Sequence, residues 1–190
     1  MNARLSPRMA VIGASPTAEI SNKLRALASG GAKVINLGEG ELDFPTPEHI
    51  CEAGIAAIRA GDTKYTAVSG TAALKAAIAR KFERENGLRY PASGIIAGTG
   101  AKQLIFNAFL ATLGEGDEVI VPAPYWVSYP DMIRLAGGTP VILPCRAEDG
   151  WKLTSEALAE ALTPRTRWVI LNSPNNPTGA VYTSEEFAAL

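Results

Sequence analysis

Residues 98–102, with the sequence GTGAK, could bind a phosphate group through the main chain. They lie between a short apolar run and a long helical pattern. Small residues let backbone N–H groups approach a ligand, and the N-terminus of a helix adds about half a positive charge. The segment matches neither the P-loop nor the dinucleotide-binding fingerprint, and glycines in such turns often serve steric needs alone. By itself it is a weak indication of phosphate binding.

Aromatic residues follow a second apolar run, in the segment Pro124-Tyr125-Trp126. Open α/β sheets bind their ligands along the carboxyl edge, where such a segment would lie. The indole of Trp126 could stack there on a flat heteroaromatic ring. The alternative is that Tyr125 and Trp126 only fill space in the hydrophobic core. Both interpretations stay open for the segment taken alone.

A third segment, residues 172–179 (NSPNNPTG), follows the apolar run at 168–171. Two prolines and a glycine restrict its backbone, so Asn175 and Asn176 would be presented in fixed positions. At the carboxyl end of a strand, their side-chain amides could donate hydrogen bonds to a bound ligand. The alternative is a turn whose asparagines only cap local backbone groups.

Strand and helix patterns alternate along the chain and would position these three segments. Helices are expected at 18–29, 46–60, 71–86, 101–113, 128–136 and 154–162, and strands at 34–37, 95–97, 118–121, 141–143 and 168–171. The strands are nearly continuous apolar runs, which is typical of strands covered on both faces. Their alternation with helices predicts an α/β fold with a mostly parallel sheet.

Two helix starts have recognisable caps. Thr46 is expected to cap a helix whose first position is Pro47. Near the end, Thr183 and Glu186 have the spacing of a capping box, and four apolar residues follow. A helix of barely two turns gains little without its packing face. We therefore expect the chain to be truncated at Leu190 and to continue in a longer protein.

The composition is that of an ordinary globular enzyme domain. The 190 residues are 47% hydrophobic and 19% charged, with a net charge of −1 and no basic run, so no nucleic-acid partner is expected. No apolar stretch or leader pattern suggests a membrane span or a secretory signal. Cys51 and Cys145 are far apart and His49 is the single histidine, so no disulfide framework or metal site is expected. We expect a cytoplasmic protein.

Taken together, the segments resemble class I aminotransferases. NLGEGELDFPTP, TKYTAVSG, GTGAKQ, PAPYWVSYP and NSPNNPTGAVY occur in the order and approximate spacing of the aspartate aminotransferase-like group of fold-type I pyridoxal-phosphate enzymes. The resemblance covers essentially the whole chain, and SPNNPTG with PYW upstream is its specific part. It implies a three-layer α/β/α large domain, here truncated, of which residues 47–190 would be the first part. Residues 1–46 would form an N-terminal arm and part of the small domain.

The resemblance implies pyridoxal 5'-phosphate as the cofactor and assigns residues to it. Gly100, Ala101 and Lys102 match the phosphate cup at the helix N-terminus. Trp126 matches the aromatic residue that stacks on the pyridine ring. Asn176 matches the amide that donates to the phenolic oxygen, which tunes the electron sink.

The resemblance also implies contacts with the substrate. Gly40 matches a loop glycine whose backbone N–H meets the substrate carboxylate, which Trp126 and Asn176 would also help to bind. In the bacterial subgroup that looks most similar, the lysine at Lys102 is associated with the distal carboxylate of acidic substrates. Glu39 departs from the small residue expected beside Gly40, and an acid pointing inward would repel a dicarboxylate.

The residues that perform the chemical step are expected outside this chain. The family needs a Schiff-base lysine, an aspartate for the pyridinium nitrogen and a C-terminal arginine. In the family's order all three follow the NSPNNPTG segment. The lysines of this chain all precede that segment: Lys23, Lys33, Lys64, Lys75, Lys81, Lys102 and Lys152. No catalytic residue is therefore assigned here, and the Schiff-base lysine is expected beyond Leu190.

The expected activity is transfer of an amino group between an amino acid, with aspartate or another acidic one favoured, and a 2-oxo acid. Tyr65 matches a tyrosine that reaches the cofactor phosphate of the neighbouring subunit, so the resemblance implies a homodimer. Two alternatives stay open. One is a lyase or decarboxylase with the same fold and cofactor, and the other is a non-catalytic fragment that binds a phosphate ligand or a partner.

Overall fold

The computed structural model describes residues 6–13, 16–35, 40 and 42–190. The chain forms two compact units, one comprising Met1–Val34 with Ile105–Leu190 and the other Ile35–Leu104. The division after residue 46 into an arm and a large domain stays a prediction. Within the described ranges, no helix is long and apolar enough to cross a membrane.

The regular elements follow the alternation expected from the sequence. The strands are β1 (Glu118–Ala123), β2 (Thr139–Pro144) and β3 (Thr166–Val169). The helices are α1 (Pro16–Ser29), α2 (Glu48–Arg59), α3 (Ala72–Asn86), α4 (Ala101–Thr112), α5 (Tyr129–Leu135), α6 (Ser155–Ala161) and α7 (Ser184–Ala189). Short 3₁₀ helices occupy Pro7–Val11 and Ala92–Gly94.

The sheet is parallel, with β1 between β2 and β3. Val119, Ile120 and Val121 in the central strand are completely buried. β2 and β3 are only partly buried, because each pairs with a single strand of the described sheet. The predicted mostly parallel α/β fold is confirmed, and the first four residues of β1, 118–121, are buried on both faces of the sheet.

The core has one cluster on each face of the sheet, because successive side chains of a strand point to opposite faces. Val119 and Val121 pack with Phe109 of α4 and Ile133 of α5. On the other face, Ile120 belongs to a cluster with residues of α6 and of the loops beside it: Cys145, Leu153, Leu158 and Tyr182. Helices therefore cover both faces, which confirms the three-layer α/β/α arrangement.

One of the two predicted helix caps is present, and threonines cap two further helices. Thr71 and Thr154 accept hydrogen bonds from the third residue after them, at 3.2 Å in both cases. Thr183 and Glu186 form the predicted capping box, with both reciprocal hydrogen bonds. The predicted Thr46 cap is wrong: α2 begins at Glu48, Pro47 occupies the cap position, and no side chain caps the helix.

Two predicted strands are not formed as expected. Residues 95–97 are not in a strand, although Ile95 is buried, because no strand of the described residues runs beside them for pairing. For the strand predicted at 34–37, Val34 and Ile35 are irregular, and the last two residues lie outside the described ranges. β3 begins and ends before the predicted 168–171, although the Ile170 N–H still donates to the Ile120 carbonyl at 3.0 Å.

Candidate functional site

Two of the three segments singled out in the sequence come together at the carboxyl edge of the sheet. The segment containing Trp126 follows β1, and residues 172–179 follow β3. Because β1 and β3 are parallel neighbours, both loops leave the sheet at the same edge. The side-chain amide of Asn175 donates to the main-chain carbonyl of Pro124 at 3.1 Å and joins the loops directly.

Trp126 has one part of its side chain in the core and another part accessible. It packs against the cluster around Val119 and meets the ring of Tyr129 edge to face, with ring centres 5.4 Å apart. Its carbonyl accepts from the Tyr129 N–H at 3.1 Å, which ties it to the start of α5. The core-filling interpretation is therefore correct for part of the ring, and the half-buried indole keeps surface for a ligand.

The NSPNNPTG loop is held by a dense set of its own hydrogen bonds. The Asn176 N–H donates to the side-chain oxygen of Asn172 at 2.9 Å. Asn175 donates its N–H to the Ala180 carbonyl and accepts from the Gly179 N–H, both at 2.8 Å. Of the two asparagines expected to be presented, Asn176 is exposed, whereas Asn175 is half-buried with its amide bonded to protein groups. Asn175 therefore does more than cap local backbone, because its amide reaches the Pro124 carbonyl of the other loop.

The GTGAK segment belongs to the other unit and has the predicted turn-to-helix geometry. α4 begins at Ala101, and Gly100 precedes it with a left-handed φ of +86°. Ala101 and Lys102 lie exposed in the first helical turn, whose N–H groups cannot be satisfied by the helix itself. The Thr99 N–H donates to the Gln103 side chain at 2.6 Å and is therefore not available to a ligand.

Gly98 has a packing role that the sequence did not reveal. A Cβ atom at Gly98 would lie 2.6 Å from Cδ2 of Leu104 and 3.0 Å from the side-chain oxygen of Gln103. A larger residue here would force the side chains of Leu104 and Gln103 to shift, because the turn lies directly against the helix that follows it. Gly98 and Gly100 in the sequence suggest a tight turn, but they do not show that the Leu104 side chain packs against it.

The remaining sequence-predicted residues are accessible in the same unit as GTGAK. Tyr65 and Gly40 are both exposed, whereas Glu39 lies outside the described residues. The loop after Tyr65 is anchored where the Ala97 N–H donates to the Ser69 carbonyl at 3.0 Å. Among the described residues, no group of three or more His, Cys, Asp or Glu side chains could hold a metal ion.

The carboxylates with perturbed pKa values at this sheet lie at its amino edge, away from the two loops. A hydrogen bond from Thr163 and the guanidinium of Arg165 lower the pKa of Glu118. The Gly114 N–H and the side chain of Arg167 lower the pKa of Asp117. Both shifts favour the ionised form, which suits structural ion pairs rather than proton transfer.

Comparison with known proteins identifies the same family that the sequence segments resemble. The family model described as "Aminotransferase class I and II" matches residues 32–190. The aspartate/prephenate aminotransferase of Cereibacter sphaeroides is 58% identical over 186 residues, which make up 98% of this chain and 46% of that protein.

Solved structures show the same relationship. The aspartate aminotransferase of Rhizobium meliloti matches with a TM-score of 0.95 and 49% identity, over 98% of this chain and 46% of that one. The aspartate aminotransferase of Thermus thermophilus with maleate matches with a TM-score of 0.94 and 45% identity, over 98% and 49%. This chain spans about half the length of these relatives. It belongs to the family of class I and II aminotransferases.

Proposed function

We propose that the complete protein is a pyridoxal 5'-phosphate-dependent aminotransferase that moves an amino group between aspartate and a 2-oxo acid. The main support for this proposal is that the Trp126 loop and the Asn176 loop lie at the same edge of the sheet and are hydrogen-bonded to each other. The chain also belongs to the family of class I and II aminotransferases. Ligands of open parallel sheets bind at that edge.

The chemistry of the described residues fits the cofactor. Gly100, Ala101 and Lys102 would hold its phosphate, because the helix that begins at Ala101 directs the positive end of its dipole there and Lys102 adds a cation. The half-buried indole of Trp126 offers a surface for a flat ring, and the exposed amide of Asn176 offers a donor. When bound, the cofactor supplies an electron sink for the bonds at the substrate Cα.

Each residue would orient or bind, and none of them would transfer the proton. Asn176 would donate to the phenolic oxygen and stabilise its negative charge, while Trp126 would fix the plane of the ring and exclude water from one face. The Gly40 N–H would hold the substrate carboxylate, together with the Asn176 amide. The Schiff-base lysine that moves the proton would lie outside residues 1–190, as would the aspartate and the arginine that complete the site.

The choice of aspartate rests on the names of the relatives and on charge. Relatives are named aspartate or aspartate/prephenate aminotransferases, and one solved relative is described with maleate, a dicarboxylate. The cation of Lys102 suits a substrate with a second carboxylate. Prephenate, itself a 2-oxo acid, is therefore a candidate acceptor beside smaller 2-oxo acids. We also propose a cytoplasmic protein that acts in amino-acid biosynthesis.

The test follows product formation by the complete protein supplied with pyridoxal phosphate, ¹⁵N-aspartate and 2-oxoglutarate. We expect ¹⁵N-glutamate and oxaloacetate in equal amounts, and a roughly 100-fold lower rate for Asn176→Ala, which removes one donor. Release of ammonium or carbon dioxide in proportion to aspartate consumed would instead establish a lyase or decarboxylase. No conversion of any amino acid would favour the non-catalytic alternative.

A further inference from the structure

Asn175 connects the two loops through a side chain whose donors are fully used. Its Nδ2 atom carries two hydrogens, and the structure gives it two acceptors: the Pro124 carbonyl at 3.1 Å and Thr178 Oγ1 at 2.8 Å. No donor of this amide is therefore left for a ligand. A role for Asn175 must act through the groups that it holds.

On one side, Asn175 holds the segment that carries Trp126. Pro124 lies two residues before Trp126, and the carbonyl of Trp126 is itself bonded to the start of α5. The segment between β1 and α5 is thus fixed near both ends, and the bond from Asn175 links it to the loop after β3. Without that bond, the Pro124 carbonyl would lose a donor in a half-buried position.

On the other side, Asn175 holds the loop that carries Asn176. Its main chain is bonded to Ala180 and Gly179, and its side chain to Thr178. Asn172 fixes the N–H of Asn176 from the strand side, at 2.9 Å. The position of the exposed Asn176 side chain is therefore set relative to Trp126 by a chain of short bonds that passes through Asn175.

We propose that Asn175 is a positioning residue that sets the distance between the ring-stacking Trp126 and the amide of Asn176. This inference rests on the proposed function, since it assigns both of those residues to the cofactor. Two groups that act on one rigid ring must be placed together, and an error of about 1 Å costs on the order of 100-fold in rate. A bond between their loops maintains that placement.

Asn175→Asp in the complete protein removes both donors while keeping the shape of the side chain. We expect kcat/KM for aspartate to fall about 10- to 100-fold. We also expect the pH midpoint of the visible absorption change of the bound cofactor to rise, as in Asn176→Ala, because a displaced amide stabilises the phenolic anion less. Thr178→Val is the matched control. It removes the acceptor inside the loop and leaves the Pro124 bond, so a much smaller change is expected.

A double-mutant cycle makes the test decisive. If Asn175 acts through Asn176, Asn175→Asp should lower the rate far less in the Asn176→Ala background than in the wild type. Additive losses, an unchanged absorption midpoint, or an equal effect of Thr178→Val would each overturn the proposal. Failure of the proposed function is seen separately, because the unsubstituted protein would then transfer no amino group.

Discussion

The carboxylate of Glu118, at the start of β1, accepts hydrogen bonds from two nitrogens of the Arg165 guanidinium, at 2.8 and 2.5 Å. Its second oxygen accepts from Thr163 Oγ1 at 2.6 Å. Glu118 is only 7% exposed, so this network replaces the water that the carboxylate loses on folding. The network also joins the central strand to the segment that leads into β3, at the edge opposite the two loops.

We predict that Glu118→Gln lowers the stability of the complete protein at neutral pH and that this loss disappears in acid. The hydrogen bond from Thr163 and the charge of Arg165 depress the pKa of Glu118 below its ordinary 4.5. A depressed carboxyl pKa stabilises the fold above the unfolded value, and this contribution is lost as the pH falls through the folded-state pKa. Urea unfolding of both proteins across that range measures the difference.

The matched control for this prediction is Glu148→Gln. Glu148 pairs with Arg146 at 3.3 Å, but its side chain is 69% exposed, and pairs of this kind contribute little to stability. We expect its unfolding curve to follow that of the parent protein at every pH. A loss of stability in Glu118→Gln that persists unchanged in acid would contradict the assignment of that loss to charge.

The proposed homodimer predicts that two defective chains can restore one another. Tyr65 would serve the site of the neighbouring subunit, whereas Asn176 would serve its own. A dimer of one Tyr65→Ala chain with one Asn176→Ala chain would then contain one intact site. Random mixing should restore about a quarter of the wild-type sites. Activity no greater than the mean of the two variants would show that Tyr65 acts within its own chain or not at all.

Local patterns were sufficient to predict the central elements. The apolar runs at 118–121 and 141–143 became β1 and β2, and Thr183 caps α7 as its spacing from Glu186 predicted. These features depend on residues close in sequence or on burial from both faces. Val34, Ile35 and the run at 95–97 have similar apolar character but lack a neighbouring strand in the described residues, and a strand requires one.

The parts of the site that depend on distant contacts could not be predicted in the same way. The bond from Asn175 to Pro124 requires the register of β1 against β3, which no local pattern specifies. The loop pattern alone presented Asn175 and Asn176 as equivalent amides, and the resemblance assigned only Asn176 to the cofactor. The fold adds that Asn175 is half-buried and Asn176 exposed. The close contact between Gly98 and Leu104 could not be predicted either, because it depends on the backbone conformation of the turn between them.

Gly98→Ala should destabilise the turn before α4 and weaken binding of the cofactor. Its Cβ would lie within 2.6 Å of Leu104 Cδ2, and forced overpacking of this kind costs about 1–3 kcal/mol. We expect a lower unfolding midpoint and a higher dissociation constant for pyridoxal phosphate. Gly94→Ala is the control, since its Cβ would meet only Pro91 at an ordinary 3.8 Å. Adding Leu104→Ala to Gly98→Ala should recover part of the loss. If the double variant is no more stable than Gly98→Ala, the destabilisation does not come from the contact between this Cβ and Leu104.

The 190-residue chain alone should form no stoichiometric lysine adduct with pyridoxal phosphate after reduction with borohydride. The Schiff-base lysine of the family follows the NSPNNPTG segment, whereas all lysines of this chain precede it, and two of them are held in ion pairs. Lys152 is ion-paired with Glu186, and Lys81 with Glu85 at 3.3 Å. Mass spectrometry after proteolysis measures the adducts. The complete protein is the control, with one adduct expected outside residues 1–190. A single fully modified lysine in the short chain would disprove the assignment of the Schiff base.

Tyr182→Phe should lower stability by about 1–3 kcal/mol, because it leaves a buried donor without its partner. The Tyr182 hydroxyl accepts from the Leu153 N–H at 2.7 Å, and both residues are buried in the cluster under α6. Burial raises the pKa of Tyr182, so the hydroxyl stays neutral and the loss is the same from weakly acidic to weakly basic pH. Tyr90→Phe is the control, since Tyr90 is half exposed. Equal unfolding midpoints for the two variants would show that the hydrogen bond to Leu153 contributes nothing to stability.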